Sequence, residues 1–286
     1  MITANYSIFG AQNFFFNPEI EYQAILNRAI LLGYGLPTNK EMFSQNEMVK
    51  TLKLAGIWNR LDQLYVWYNS AGFEFSSINW INPTLLLVRD TSAINSSFLR
   101  KEGVRLSAIV NGVSGSAFAS SFNSQTSSGK YQLGDASFGW VNGYSDNLDG
   151  MFSGIKSHNN QQLWFRQLGG TGRGRQYFQQ GEGYTSDIMS AGVPVAKTNV
   201  FLITSRTVSN TKVFQNGTKY ADRAITYLGT TGTVASSSVN YTTEFGYKGT
   251  SNLDTLRMAF TGGNLTESEA IAFNAIWNNY INSFLT

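Results

Sequence analysis

The chain has 286 residues, 42% hydrophobic and 14% aromatic, so it can bury a sizeable core and is not wholly disordered. It has no cysteine and one histidine, His158, which removes disulfides, cysteine-based zinc sites, thiol nucleophiles and multi-histidine metal centres. Charged residues make up only 14%, with 21 basic and 18 acidic side chains and a net charge of +3, so the polar surface falls to Asn, Ser, Thr and Gln.

The length fits about two domains, or one large β domain with a small appendage. No run of Lys and Arg forms a nucleic-acid arm. Residues 1–10 lack a basic stretch followed by an apolar one, so no export signal is expected. The most apolar helical stretch, Ala24 to Leu32, is short and interrupted by Asn27 and Arg28, whereas a span needs roughly 20 apolar residues. Neither nucleic acid nor a membrane is therefore expected as a partner.

Residues 1–72 read as a helical docking segment after an irregular start. Pro18 suits a first helical turn and leads into a helix from Glu19 to Leu32, stopped by Gly33 and Gly35. Thr38 and Glu41 fit a capping box. Met48, Leu52, Ala55, Leu61 and Leu64, with Val49 and Ile57 alongside, then give a helical stripe up to about Tyr65. Two such helices bury their stripes against each other or the rest of the chain; a partner-binding helical pair is the alternative.

Residues 73–286 read as a β-sandwich closed by a helix. Strands are predicted at Thr84–Asp90, Val104–Val110, Ala117–Phe122, Ser137–Asn142, Met151–Ile155, Leu163–Gln167, Val200–Arg206, Lys212–Gln215, Thr218–Ala221, Thr242–Tyr247 and Leu256–Thr261. Asn216-Gly217 supplies the two positive-φ residues of a type I′ hairpin turn. Thr266 and Glu269 form a second capping box, and Ala270, Phe273, Trp277, Ile281 and Phe284 make an apolar stripe.

Few constellations carry chemistry. Retaining glycosidases on related sandwiches need two carboxylates about 5 Å apart, and no strand shows such a pair; Glu244 and Asp254 stand alone. No catalytic residue and no cofactor are therefore expected. Asp146 and Asp149, in the Ser145–Gly150 stretch, could begin a calcium site, but the EF-hand order is not met and an Asx turn is the alternative. Arg173 and Arg175, in a loop opened by Gly169-Gly170-Thr171-Gly172, suit an anion or a subunit contact; the phosphate-loop ending is absent. His158 falls in a polar turn without readable Ser or Asp partners. Trp140, Tyr144, Trp164, Tyr177 and Tyr184 are candidate platforms for sugar rings, with Asn and Gln as amide partners, though aromatics also fill sandwich cores. The Asn-x-Ser/Thr triplets at Asn95, Asn216, Asn240 and Asn264 read as chance.

Four stretches resemble one known family. Leu52-Lys53-Leu54-Ala55-Gly56-Ile57-Trp58, running on to Tyr65, is similar to the helical lead-in of tailed-bacteriophage virion structural proteins with a concanavalin A-like, laminin-G-like jelly-roll domain. A short strand around Asn79-Trp80-Ile81-Asn82-Pro83, the strand pair Phe201–Arg206 and Phe214–Gly217, and Met258–Ala270 follow in that family's order. The resemblance covers roughly residues 45 to 285. It implies a mainly β, concanavalin-like jelly-roll sandwich with a helical N-terminal segment and a C-terminal helix. It further implies a non-enzymatic head or tail appendage, fibre or decoration protein of the virion, bound to other virion proteins as a homo-oligomer, with a trimer by analogy to phage fibres. A host-glycan-binding adhesin is the alternative and a polysaccharide depolymerase the third reading, because the fold also hosts lectins and glycosidases.

Overall fold

The computed structural model describes residues 17–89, 97–99, 102–105, 118–120, 129–131, 135–144, 152–156, 162–168, 173–179, 185–187, 198–207, 209–224, 242–245 and 255–284. Helix α1 (Ile20–Leu31) and helix α2 (Asn39–Leu54) end by the same device. Gly33 and Gly56 adopt φ of 70° and 74°. The Gly33 amide donates to Ile30 O and that of Tyr34 to Ala29 O; Gly56 and Ile57 do likewise to Lys53 and Leu52. These are Schellman motifs, which need a residue tolerant of positive φ just past the helix. The capping box at the start of α2 is present, with Thr38 and Glu41 exchanging hydrogen bonds.

Gly56 overturns the helical stripe expected to reach Tyr65. A single 3₁₀ turn, Trp58–Arg60, follows it, and Leu61–Val66 is strand β1, paired antiparallel with β15 (Thr255–Gly262). A β-bulge between Leu61 and Gln63 accounts for the misleading spacing. The extra residue lets Leu61 and Leu64, three apart, bury in one core cluster as they would on a helix. Asn79-Trp80 is likewise no strand. The Asn79 side chain accepts from Leu64 N and Ile81 N and donates to Asp62 O, so one amide satisfies the edge of β1.

Two antiparallel sheets are formed among the described residues. The first runs β13 (Thr218–Ala224), β12 (Asn210–Gln215), β11 (Thr198–Thr207), β6 (Asp135–Tyr144), β15, β4 (Gly103–Arg105) and β3 (Ser97–Leu99), with β1 sharing the edge of β15 with β4. The second runs β10 (Thr185–Asp187), β9 (Arg173–Gln179), β8 (Gln162–Leu168), β7 (Phe152–Lys156), β14 (Thr242–Phe245), β5 (Phe118–Ser120) and β2 (Leu87–Arg89). The predicted strands reappear with shifted ends, while β1, β3, β9 and β10 were not anticipated. The Asn-Gly hairpin is as expected: Asn216 and Gly217 have φ of 50° and 77°. Asn216 also exchanges hydrogen bonds with the Phe201 backbone, tying the turn to β11.

The middle of the first sheet, at β1, β6 and β15, is buried on both faces. Helix α4 (Glu267–Asn282), capped by Thr266 and Glu269, lies with α1 and α2 over one face. Phe273 of α4 meets Phe201 and Phe260 at ring-centroid distances of 5.2 and 4.9 Å. Beneath the Phe260 ring sits Gly139, where an added Cβ would lie 2.6 Å from a Phe260 ring carbon and against the Leu202 carbonyl. A polar chain fastens the helices together: Tyr22 OH donates to Gln45, Gln45 to Tyr280 OH, and Tyr280 OH to Tyr68 O. The opposite face carries Tyr65, whose hydroxyl donates to Ser120 Oγ of the second sheet.

Gly139→Ala is expected to cost about 1–3 kcal/mol, because Phe260 must leave its place against Phe273. Chemical denaturation of the two proteins measures this; an unchanged midpoint would contradict the packing described.

Candidate aromatic and arginine face

Strand register decides which of the predicted site residues share a face. Residues directly opposite in an antiparallel sheet point the same way, and successive residues alternate. In the second sheet, Ser120 is 1% exposed and bonded to Tyr65 of the first sheet, and Leu87, opposite it, is 4% exposed. Their row continues through Thr243, Ile155, Leu163, Phe178 and Ser186. This is the interior face, and Ile155, Leu163 and Phe178 suit it.

The next row belongs to the other face. It begins at Val88, which is 61% exposed, and passes through Ala119, Glu244, Gly154, Trp164, Tyr177 and Asp187. Trp164 and Tyr177 are thus direct cross-strand partners, with Gly154 on the far side of Trp164. One row along lie Phe152, Arg166 and Arg175, and beyond it Leu168 and Arg173. On the other side, Lys156, Gln162 and Gln179 are in line. Two aromatic residues, a glycine that adds no side chain, amides, and basic residues therefore share one face of β7, β8 and β9.

The remaining candidates fall elsewhere. Trp140 takes the core alternative and not the platform: it is 2% exposed, in line with Leu202, Ala259 and Tyr65 on the face of the first sheet that meets the second. Tyr144 ends β6 opposite Thr198. Tyr184, His158, Asp254 and the calcium candidates Asp146 and Asp149 lie outside the described residues. Arg173 and Arg175, read as loop residues, are strand residues of β9. The Gly-rich sequence masked the strand, because glycine is depleted in strand interiors.

Sequence reasoning missed Gly154, Arg166 and the pairing of Trp164 with Tyr177. The signal was alternation: Gln162, Trp164 and Arg166 interleave with Leu163, Phe165 and Gln167. Three apolar neighbours in a row, Leu163-Trp164-Phe165, hid it.

Two other clusters are internally satisfied. Arg257 stacks over the Tyr68 ring at 4.9 Å and donates to the Glu102 carbonyl; burial lowers its pKa. Asp62 accepts from Lys130 N and Tyr131 N at 3.0 and 2.7 Å, and burial raises its pKa despite these bonds. Each ties a strand to a neighbouring non-strand segment. Glu244 and Asp187 share a row, but four inter-strand steps separate them by roughly 19 Å. Paired-carboxylate hydrolysis works at about 5–10 Å, so these two do not form such a pair. Among the described residues, no group of three or more His, Asp or Glu could hold a metal, and no helix is long and apolar enough to cross a membrane.

Ile155→Asp, on the interior row, is expected to destabilise by about 3 kcal/mol or more, whereas Glu244→Gln, on the other face, stays within about 0.5 kcal/mol. Thermal melts of both variants check the face assignment; the reverse order would refute it.

No described protein family matches the sequence, and no curated protein does. Solved structures do. The binding domain of botulinum neurotoxin serotype D superposes with a TM-score of 0.52 at 12% identity, over 77% of this chain and 52% of that one. A structure of botulinum neurotoxin type C, whose cell entry is dependent upon interaction with two ganglioside molecules, gives 0.52 at 13%, over 78% and 53%. The binding domain of botulinum neurotoxin DC in complex with rat synaptotagmin II gives 0.52 at 12%, over 77% and 52%. The chain spans about half the length of the solved chains it matches. At such identities the likeness is one of fold: the chain is a concanavalin-like jelly-roll sandwich, led in by helices and closed by one.

Proposed function

We propose that the chain is a non-enzymatic, lectin-like module that binds glycan on the β7–β8–β9 face. The observation that carries this reading is the register pair Trp164–Tyr177 beside Gly154. A sugar ring presents C–H groups that stack on aromatic faces, and a neighbouring glycine leaves room for the ring edge. Gln162 and Gln179, one row along, supply amide donors and acceptors for hydroxyls. The type C neurotoxin structure, with its ganglioside dependence, supports the same reading by likeness of fold.

The finer part of the proposal is its setting. The module is displayed on the virion of a tailed bacteriophage as a head or tail appendage, assembled in the host cytoplasm as a homo-oligomer, a trimer by analogy. The sequence resemblance motivates this, and the helical layer offers a docking side. Ile20, Leu31, Phe43 and Leu54 are 78%, 75%, 52% and 79% exposed on α1 and α2, an apolar set suited to permanent subunit contacts.

A glycan array probed with the full chain tests the first part. Trp164→Ala is expected to lower affinity for the retained glycans about tenfold or more, in keeping with the roughly 1–3 kcal/mol carried by a stacked ring in a comparable setting. Binding that is indifferent to Trp164 would place the site elsewhere. Mass spectrometry of purified phage particles tests the second part: the protein is expected among the virion components, and its absence would remove the virion setting.

A further inference from the structure

Helix α2 presents a stripe that is complementary to itself. Met42, Gln45, Met48, Val49 and Leu52 turn inward, and Phe43, Glu47, Lys50 and Leu54 make up the outward stripe. These four follow one another at intervals of four, three and four residues, which places them on one face of the helix. Phe43 and Leu54 are 52% and 79% exposed and lie roughly 16 Å apart along the axis. Between them Glu47 and Lys50, both about half exposed, form an ion pair at 3.7 Å. The stripe therefore reads apolar, acidic, basic, apolar. Phe43 and Leu54 are equally distant from the point between Met48 and Val49, and so are Glu47 and Lys50.

Two such helices match when they run antiparallel about a two-fold axis at that point. Phe43 then meets Leu54 of the second copy, Glu47 meets Lys50 of the second copy, and each contact is made twice. A parallel pair in register sets Glu47 on Glu47 and Lys50 on Lys50, like charges whose juxtaposition is costly. A two-fold contact uses the same patch on both subunits, and that patch must be self-complementary. Resting on the homo-oligomeric reading of the helical layer, we infer that the occupant of this face is a second copy of the chain, docked α2 on α2 and antiparallel. Lys53, further along α2, is held by Glu19 and Glu21 at the start of α1, at 2.6 and 2.7 Å, so Glu47 and Lys50 set the charge pattern of the stripe. Helices α1 and α4 pack on α2 and expose Ile20, Leu31 and Ile271. This apolar surface widens the contact toward the roughly 800 Å² per partner of a specific interface. The ion pairs fix direction and register, and burial of Phe43 and Leu54 supplies affinity. A two-fold contact gives even copy numbers: a dimer or, where a three-fold axis is also present, a hexamer.

Sedimentation of the full chain over a dilution series tests this, and an even-numbered assembly is expected. Glu47→Lys and Lys50→Glu should each weaken it about tenfold or more, because each reversal sets like charges together twice across the axis. Mixing the two variants should restore association to the wild-type level, since the acidic stripe of one then meets the basic stripe of the other. An ion pair within one helix cannot produce that rescue. Phe43→Ser and Leu54→Ser should each weaken association about tenfold, and they carry the test if a charge reversal fails to fold. Weakening by both charge variants without rescue on mixing overturns the antiparallel pairing. An even-numbered assembly indifferent to all four variants, or a trimer, overturns the α2 contact and leaves the homo-oligomer standing. A monomer at every concentration gives the face to a different partner and removes the homo-oligomeric reading together with this inference.

Discussion

The pairing of β1 with β15 is the constraint on which the rest of the architecture depends. It brings Leu64 and Val66 beside Phe260 and Met258, and so completes the apolar floor on which the helices lie. It also fixes where α2 must end. A strand that starts at Leu61 leaves only a Schellman turn and one 3₁₀ turn between helix and sheet, and Gly56 with its positive φ makes that reversal possible. The same strand presents Tyr65 to the second sheet. One short strand therefore touches all three layers.

The two sheets divide their work because of what covers them. Helices bury one face of the first sheet and the second sheet buries the other, so its residues are read as core: Trp140, Phe138 and Asn142 are nearly inaccessible. In the second sheet, the row of Leu87 and Ser120 packs inward, and the alternate row runs to the exposed Val88. The alternate face is where Trp164, Tyr177 and the arginines fall. The same residue types thus carry different meanings on the two sheets, and strand register separates them where residue identity does not.

Much of this was legible in the sequence. The capping boxes at Thr38 and Thr266, the Asn216-Gly217 turn and the apolar stripe of α4 rest on local chemistry, and each is present. Local rules failed where a distant partner intervened. Leu61 and Leu64 have helical spacing, but a bulge and a partner strand almost two hundred residues away make them strand residues. Asn79 looked like part of a strand because its amide is a substitute for one. The site was legible as a list of residue types, not as a face. Trp140 and Trp164 are indistinguishable as strand tryptophans, and only the register of seven strands sets them apart.

The polar chain that fastens the helices has a consequence for how the protein is made. Gln45 bonds to Tyr280 and Tyr68 to Tyr280, across sequence separations of 235 and 212 residues; Gln63 reaches Thr261 across 198. Such contacts close very long loops, which slows folding. At synthesis rates of roughly 5–20 residues per second, the helices α1 and α2 wait about ten to fifty seconds for the segment that covers them. Helix α2, with Met48, Val49 and Leu52 in the core cluster, lacks its α4 cover in that interval. Helices made before the sheets are sealed only after them, so the nascent chain, more than the finished protein, depends on protection from aggregation.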